Sequence, residues 1–271
     1  MGVEILSPRS DVIFKLFFSD ERNIELLTDF LKSVLDIPVD DYDEVSITDP
    51  HLLREHPGDK LGILDVKLRT KTGKIINIEI QISPVDGMRE RIVYYGAKLI
   101  TEQLGKSDDY ENIRRVISVI ICDYPLIGEP PNYHHRFVLY DPVNKVEFSN
   151  VLEINTLELP KLPGDSDGTP LWNWLKFLDA RTEEELNMIA EKSPQVKQAV
   201  VRLIELSADE KARALYEARE KERRDNRARE KGARREGLLE VAKNMMADGE
   251  PIEKIVKYTG LTREEVEGLR S

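Results

Sequence analysis

The stretch LDVKLRTKTGKIINIEIQI, residues 64–82, constrains this chain more than any other. Ile76, Ile78, Ile80 and Ile82 alternate with Asn77, Glu79 and Gln81, and Leu64, Val66 and Leu68 alternate with Asp65, Lys67 and Arg69. Period two with β-branched residues predicts two strands, each with one buried face. Between them, Lys71-Thr72-Gly73 is a three-residue loop with Gly at the third place, where a type I turn followed by a left-handed residue wants it. That loop sets the register. Val66 falls opposite Ile78, Lys67 opposite Asn77 and Asp65 opposite Glu79, so apolar faces meet and polar faces meet. A bulge at Gly73 would shift everything by one residue and undo the pairing.

The register brings two carboxylates side by side, with Cα atoms roughly 4.5–5.5 Å apart. Like charges directly opposite are destabilising. Three offsets are open. One carboxylate can hold a proton, both can splay into water, or a divalent cation can sit between them.

The rest of the sequence narrows the class. No apolar run reaches membrane-span length and the N-terminus does not read as a signal peptide, so the expectation is a soluble, cytoplasmic protein that does not enter membranes. Cys122 is the single cysteine, in the strand-like run VISVIICDY, and reads as an inert core thiol. His51, His56, His134 and His135 have no zinc-like spacing with one another or with Cys122. Any metal is therefore a hard one held by oxygen. A net charge of −11 argues against a generic nucleic-acid binder. The charge is uneven, because residues 211–235 carry eleven Lys or Arg against five Asp or Glu. This stretch, poor in apolar residues, reads as a solvated helix laced by i,i+4 ion pairs and steadied by another chain, in preference to a DNA-binding arm.

Four regions follow. Residues 1–160 mix helix and strand. They hold an N-terminal helix or two capped by Ser10 or Asp11, with Phe14, Phe17 and Phe18 facing the core, then the hairpin and the helix RERIVYYGAKLITEQL. The strands VISVIICDY and HHRFVLYDP follow, with one or two more in VEFSNVLEINTLEL. This order predicts an α/β sheet covered on both faces. Residues 161–210 are helical, with Trp172 and Trp174 read as packing residues rather than a stacking platform. Residues 211–235 are the charged helix. Residues 236–271 form short helices broken at Gly249-Glu250-Pro251 and at Gly260, a helix-turn-helix-like tail. Glu264, Glu265 and Glu267 would repel phosphates there, so the tail is read as packing or dimerising. Leu238, Leu239, Val241, Ile252, Ile255, Val256 and Leu261 need a partner surface, either the core or a second copy. A homodimer through the C-terminal helices is the expected answer.

An Asp, a hairpin turn and Glu-x-Gln on the next strand resemble the PD-(D/E)xK nuclease superfamily, with Gln in place of the usual Lys. SPRSDVIFKLFF, ILDVKLRTKTGKIINIEIQ, RERIVYYGAKLITEQL and YTGLTREEV, in that order, resemble the Rpn family of recombination-promoting nucleases, also described as transposases of this type. The resemblance spans nearly the whole chain. It implies a restriction-endonuclease-like core, a mixed sheet flanked by helices, with an all-helical C-terminal extension. It also implies metal-dependent hydrolysis of DNA phosphodiesters, linked to recombination or mobile DNA, with Mg²⁺ or Mn²⁺ as cofactor. Asp65 and Glu79 would hold the metal and Gln81 would stand at the lysine position. From the residues themselves, Lys67 on the same face can supply the charge Gln81 lacks. Asp11 is either a third acidic ligand or an N-cap. Lys15 and Arg91 are either phosphate contacts or exposed structural charges. The alternative is a DNA- or protein-binding relative with a weak or lost nuclease site.

Overall fold

The computed structural model describes residues 4–48, 65–105 and 107–270, so Leu64 of the expected first strand lies outside the described residues. In chain order the elements are α1 (Asp11–Phe18), α2 (Ile24–Val34), β1 (Ser46–Thr48), β2 (Val66–Arg69), β3 (Ile75–Gln81), α3 (Met88–Thr101), β4 (Val116–Cys122), β5 (His134–Asp141) and β6 (Val146–Glu158). Then come α4 (Pro170–Asp179), α5 (Glu183–Ala190), α6 (Pro194–Ala208), α7 (Glu210–Ala247), α8 (Ile252–Thr259) and α9 (Arg263–Glu267). The strands form one sheet in the order β1-β2-β3-β4-β6-β5. β3, β4 and β6 run parallel to their neighbours among themselves, and β1, β2 and β5 are added antiparallel. This is the mixed, helix-flanked α/β sheet with a helical C-terminal region that the resemblance implies.

The hairpin register is the expected one. Val66 pairs with Ile78, Lys67 with Asn77, Leu68 with Ile76 and Arg69 with Ile75. The turn closes by Thr70 N–H donating to the Lys74 carbonyl at 3.0 Å and Gly73 N–H to the Thr70 carbonyl at 2.9 Å. Gly73 has φ +85°, the left-handed region that a Cβ disfavours.

One expectation fails here. β3 is buried on both faces, not one: Asn77 is 1% exposed and Glu79 5%. On the first face, Ile76, Ile78 and Ile80 join Phe14, Phe18, Phe30, Trp174 and Leu203 in the main core. The second face is roofed by α3, whose Leu99 packs with Ile75 and Val116, and whose Met88 and Ile92 pack with Ile120 and Cys122. A Cβ on Gly96 of α3 would lie 2.7 Å from Leu152 Cδ1 of β6, so the helix rides close to the sheet. The isoleucine alternation marked the strand, but a helix drawn from later in the chain covers its polar side.

Both tryptophans are packing residues, as read. Trp174 lies 5.9 Å, ring to ring, from Phe30, and its indole N–H donates to Asp29 Oδ2 at 2.8 Å. The Trp172 indole N–H donates to the Pro163 carbonyl at 3.0 Å. VEFSNVLEINTLEL forms the single long strand β6 and a following turn. The three-residue β1 is too short to leave a period in the sequence.

The chain divides into two compact units, Met1–Tyr216 and Glu217–Ser271. Helices α4 to α6 share the main core with the sheet, so residues 161–210 are not a separate layer. The charged helix does not stop at 235: α7 is 38 residues long and carries i,i+3 ion pairs such as Arg219–Glu222 and Arg223–Glu220, each at 2.7 Å. In the second unit, Ala242, Ile255, Leu261 and Val266 form a small core, with Leu238, Leu239, Ile252 and Val256 packed against it. Most of the apolar residues expected to need a partner surface therefore satisfy one another, and Val241 stays 48% exposed. Glu265 has a local role as well. It completes a capping box with Thr262 at the start of α9.

Gly73→Ala is expected to lower unfolding stability by about 1–2 kcal/mol, the cost of holding a Cβ-bearing residue left-handed. Urea denaturation measures it. An unchanged midpoint would show that the turn does not depend on that conformation.

Candidate active site

Asp65 stands one residue before β2 begins, and Glu79 sits two residues before the end of β3. Extending the ladder by one step from Val66–Ile78 makes them neighbours. The Asp65 carboxylate Oδ2 accepts the Ile80 N–H at 3.0 Å, just where β2 begins. Glu79 is held from both sides along its own strand. Asn77 Nδ2 donates to Oε1 at 2.8 Å and Gln81 Nε2 donates to Oε2 at 3.1 Å. Alternation puts all three on one face, and burial under α3 keeps water from competing for these bonds.

The Asp65 carboxyl is pushed up from its ordinary 3.8 to about 7. Loss of hydration on burial is the main cause. The Ile80 N–H pulls the other way, the charges of Glu79 and Asp11 add to the rise, and Lys15 opposes it. Of the three offsets left open by the sequence, splaying into water is excluded for Glu79 by its burial. A proton on Asp65 is the offset the isolated protein uses near and below neutrality.

The other candidates are distributed as follows. Asp11 is the first residue of α1, not its cap. Ser10 holds the cap position without a side-chain bond, and Asp11 Oδ1 accepts the Val12 N–H at 3.0 Å. Lys15, half-buried one turn on, shares with Asp11 the electrostatic reach of Asp65. Lys67 turns along β2 to Glu102 just after α3, with Nζ 3.7 Å from Oε2. It is drawn toward that carboxylate, not into the group around Glu79. Arg91 is exposed, with its guanidinium 5.5 Å from the Tyr95 ring centroid. Cys122, beside Gln81 in the parallel ladder, is fully buried, and burial pushes its thiol up to about 12, so it is inert as read. Asn77 was visible in the sequence only as a polar residue on the right face. Its role in holding Glu79 follows from the i, i+2 spacing along one strand face, a signal too common to single it out.

The donor set suits a hard cation. Asp65, Glu79 and the Gln81 amide offer only oxygen, and each carboxylate oxygen of Glu79 has a lone pair left after its amide bond. The raised Asp65 carboxyl reflects burial first, with the charges of Glu79 and Asp11 adding to it. Among the described residues, no group of three or more His, Cys, Asp or Glu is arranged to hold a metal ion. Two carboxylates alone would leave most of a divalent cation's coordination shell to other donors. Also among the described residues, no helix is long and apolar enough to cross a membrane.

A family model described as PD-(D/E)XK nuclease family transposase matches residues 8–233, from before α1 into α7. No curated protein and no solved structure matches the chain.

The pKa of Asp65 sets a pH dependence with a definite sign. Between 3.8 and about 7 the folded protein binds a proton that the unfolded chain has released, so stability falls as pH rises through that window and levels off above it. Asp65→Asn keeps an acceptor for the Ile80 N–H and removes the titration. Without divalent cations it should be more stable than wild type above pH 7, with the gap closing toward pH 4. Urea midpoints across that range test this, and parallel curves for the two proteins would contradict the burial of the Asp65 charge.

Proposed function

The chain belongs to the PD-(D/E)XK nuclease family transposases, and on that premise we propose that it is a metal-dependent endonuclease hydrolysing DNA phosphodiester bonds in recombination or mobile-DNA processes. PD-(D/E)XK nucleases as a class use divalent metal ions and act on DNA; Mg²⁺, or Mn²⁺ in its place, is our assignment for this chain. The observation that carries the reading is the adjoining, electrostatically coupled pair Asp65 and Glu79, two carboxylates brought together at the end of a hairpin, with the oxygens of Glu79 held by the Asn77 and Gln81 amides.

In this reading Asp65 and Glu79 hold the cation. When bound, the cation supplies charge stabilisation to the phosphoryl group and acidifies a water molecule. The chain's own groups do the rest. The Asn77 and Gln81 amides fix both oxygens of Glu79, so the carboxylate cannot rotate away as charge changes around it. The Gln81 Nε2 is engaged with Glu79, which leaves its carbonyl oxygen to accept from, and so orient, an attacking water. An amide carries no charge, so neutralising the phosphate falls to Lys15, whose ammonium acts on Asp65 from α1. Asp65 must lose its proton to ligate, so cation affinity should weaken below about pH 7.

The reading includes a cytoplasmic homodimer joined through the helices of residues 217–271. Its support is the long polar α7 and the exposed Val241, at 48%, and Tyr258, at 66%. Light scattering of the full chain should give twice the monomer mass at tens of micromolar, and a monomer there would remove the dimer without touching the nuclease.

Supercoiled plasmid is the direct test. Cleavage should need Mg²⁺ or Mn²⁺, stop in chelator, and vanish in Asp65→Ala and Glu79→Ala. Asn77→Ala should lower it by about 10–100-fold, the usual cost of freeing a metal ligand from its orienting partner. Activity that survives chelation, or persists in both carboxylate variants, would reject the assignment.

A further inference from the structure

The face of β2 that carries Asp65 also carries Lys67 and Arg69, by the alternation of the strand. Beyond Asp65 this face opens into a cleft of about 520 Å³ whose rim includes Lys67, Arg69, Arg114, Gln103, Asn112 and Thr48. We propose that this cleft is a track for the sugar–phosphate backbone of DNA, carrying the strand away from the Asp65–Glu79 pair. The proposal rests on the nuclease reading for its substrate and on three independent features for its location.

Charge is the first. In a chain of net charge −11, basic groups near the hairpin are mostly neutralised: Lys74 is paired with Asp41 at 2.6 Å and Lys71 with Asp43 at 3.6 Å. Arg69 and Arg114 differ, with no ion pair to an acidic residue among the described residues. Among the described residues, Lys67 has a loose 3.7 Å approach to Glu102. Three positive groups facing one cleft against one carboxylate leave a net attraction for a polyanion.

The second feature is that Arg114 is held in place. Its backbone is clamped by the Gln103 amide, with Arg114 N–H donating to Oε1 at 2.8 Å and Nε2 donating to the Arg114 carbonyl at 2.9 Å. Its side-chain stem lies over Gly73, where even a single added Cβ would stand 3.3 Å from Arg114 Cγ. An arginine braced in this way loses less freedom on binding a phosphate than one standing free.

Spacing is the third. At about 3.3 Å per residue, the Asp65 and Arg69 positions lie roughly 13 Å apart along β2. With one phosphate per strand each 3.4 Å of B-DNA axis, that corresponds to about four nucleotides. A strand at the carboxylate pair thus meets the arginines within half a turn of duplex.

The test uses the full chain and a fluorescein-labelled DNA duplex, with anisotropy read in chelator so that binding is separated from cleavage. Arg69→Ala/Arg114→Ala should weaken binding and reduce the slope of log K against log salt by about 1.8, some 0.9 for each phosphate the variant no longer neutralises. Lys145→Ala/Lys197→Ala removes the same charge from exposed positions elsewhere and should leave the slope unchanged. On plasmid with Mg²⁺, the arginine variant should show a raised KM and an unaltered kcat. Equal slopes for wild type and arginine variant would overturn the track while leaving the nuclease standing. A reduced slope in a protein that never cleaves would support the track and reject the nuclease. An equal reduction in the lysine control would mean general charge rather than a track. Polyglutamate competing as well as DNA would make the cleft a site for acidic protein and overturn the nucleic-acid assignment. Both arginines are exposed, and matching circular dichroism and melting curves confirm that the variants are folded.

Discussion

The ladder between β2 and β3 reaches Val66 and Ile78, and the next inward amide on β3, that of Ile80, is taken by a side chain, the carboxylate of Asp65. Much of the site depends on this bond. It satisfies a buried donor, and it fixes an acidic group next to a second one. The register that makes it possible is decided at the far end of the hairpin, by Gly73 in its left-handed conformation. A one-residue slip of β2 would turn Asp65 and Lys67 onto the isoleucine face of β3, put Val66 and Leu68 beside Asn77 and Glu79, and dismantle both the core and the site at once. Fold and site are therefore selected together, not separately.

The cost of this arrangement is electrostatic. Glu79 is buried with its oxygens held by amides, and its field falls on Asp65. A pair so placed resists full ionisation until a positive charge arrives. That property differs from a salt bridge, which would have settled the charges permanently. The buried Glu153, clasped by Arg115 and Arg136 on the same sheet, shows the settled alternative. The contrast identifies which buried acid the fold leaves available.

How far the sequence could be read follows from the range of the interactions involved. Register, turn and strand identity were legible because a three-residue loop and a period of two are local. The phenylalanines of α1 and the packing role of Trp172 and Trp174 were legible from helical spacing. A sheet covered on both faces was legible from the order of elements, but that the polar face of β3 would be buried was not, because the roof, α3, declares only its own helicity and not the strand face it covers. Lys67 was read as supplying the charge Gln81 lacks because both lie on one face; the carboxylate it approaches, Glu102, lies 35 residues further on in sequence. The apolar residues from Leu238 to Leu261 were read as seeking a partner, since a seven-residue inventory cannot show that the end of α7 closes on α8 and α9. Asp11 was weighed as a cap or a ligand, and it is the first helical residue with its charge directed at the Asp65 neighbourhood.

Both tryptophans of the chain sit in α4, packed into the core of the first compact unit, and the second unit has none. Tryptophan fluorescence, excited where tyrosine does not absorb, is therefore an optical probe of residues 1–216 alone. Far-ultraviolet ellipticity, by contrast, is weighted by helix everywhere, including the 38 residues of α7 that run from one unit into the other. The two signals need not coincide during unfolding. Where they part, the chain is melting in stages, and no single free energy describes it. A ligand at the hairpin would move the fluorescence transition, while an event confined to the tail would be seen only by circular dichroism. The placement of two indole rings thus gives this protein a built-in way of reporting which of its halves has responded.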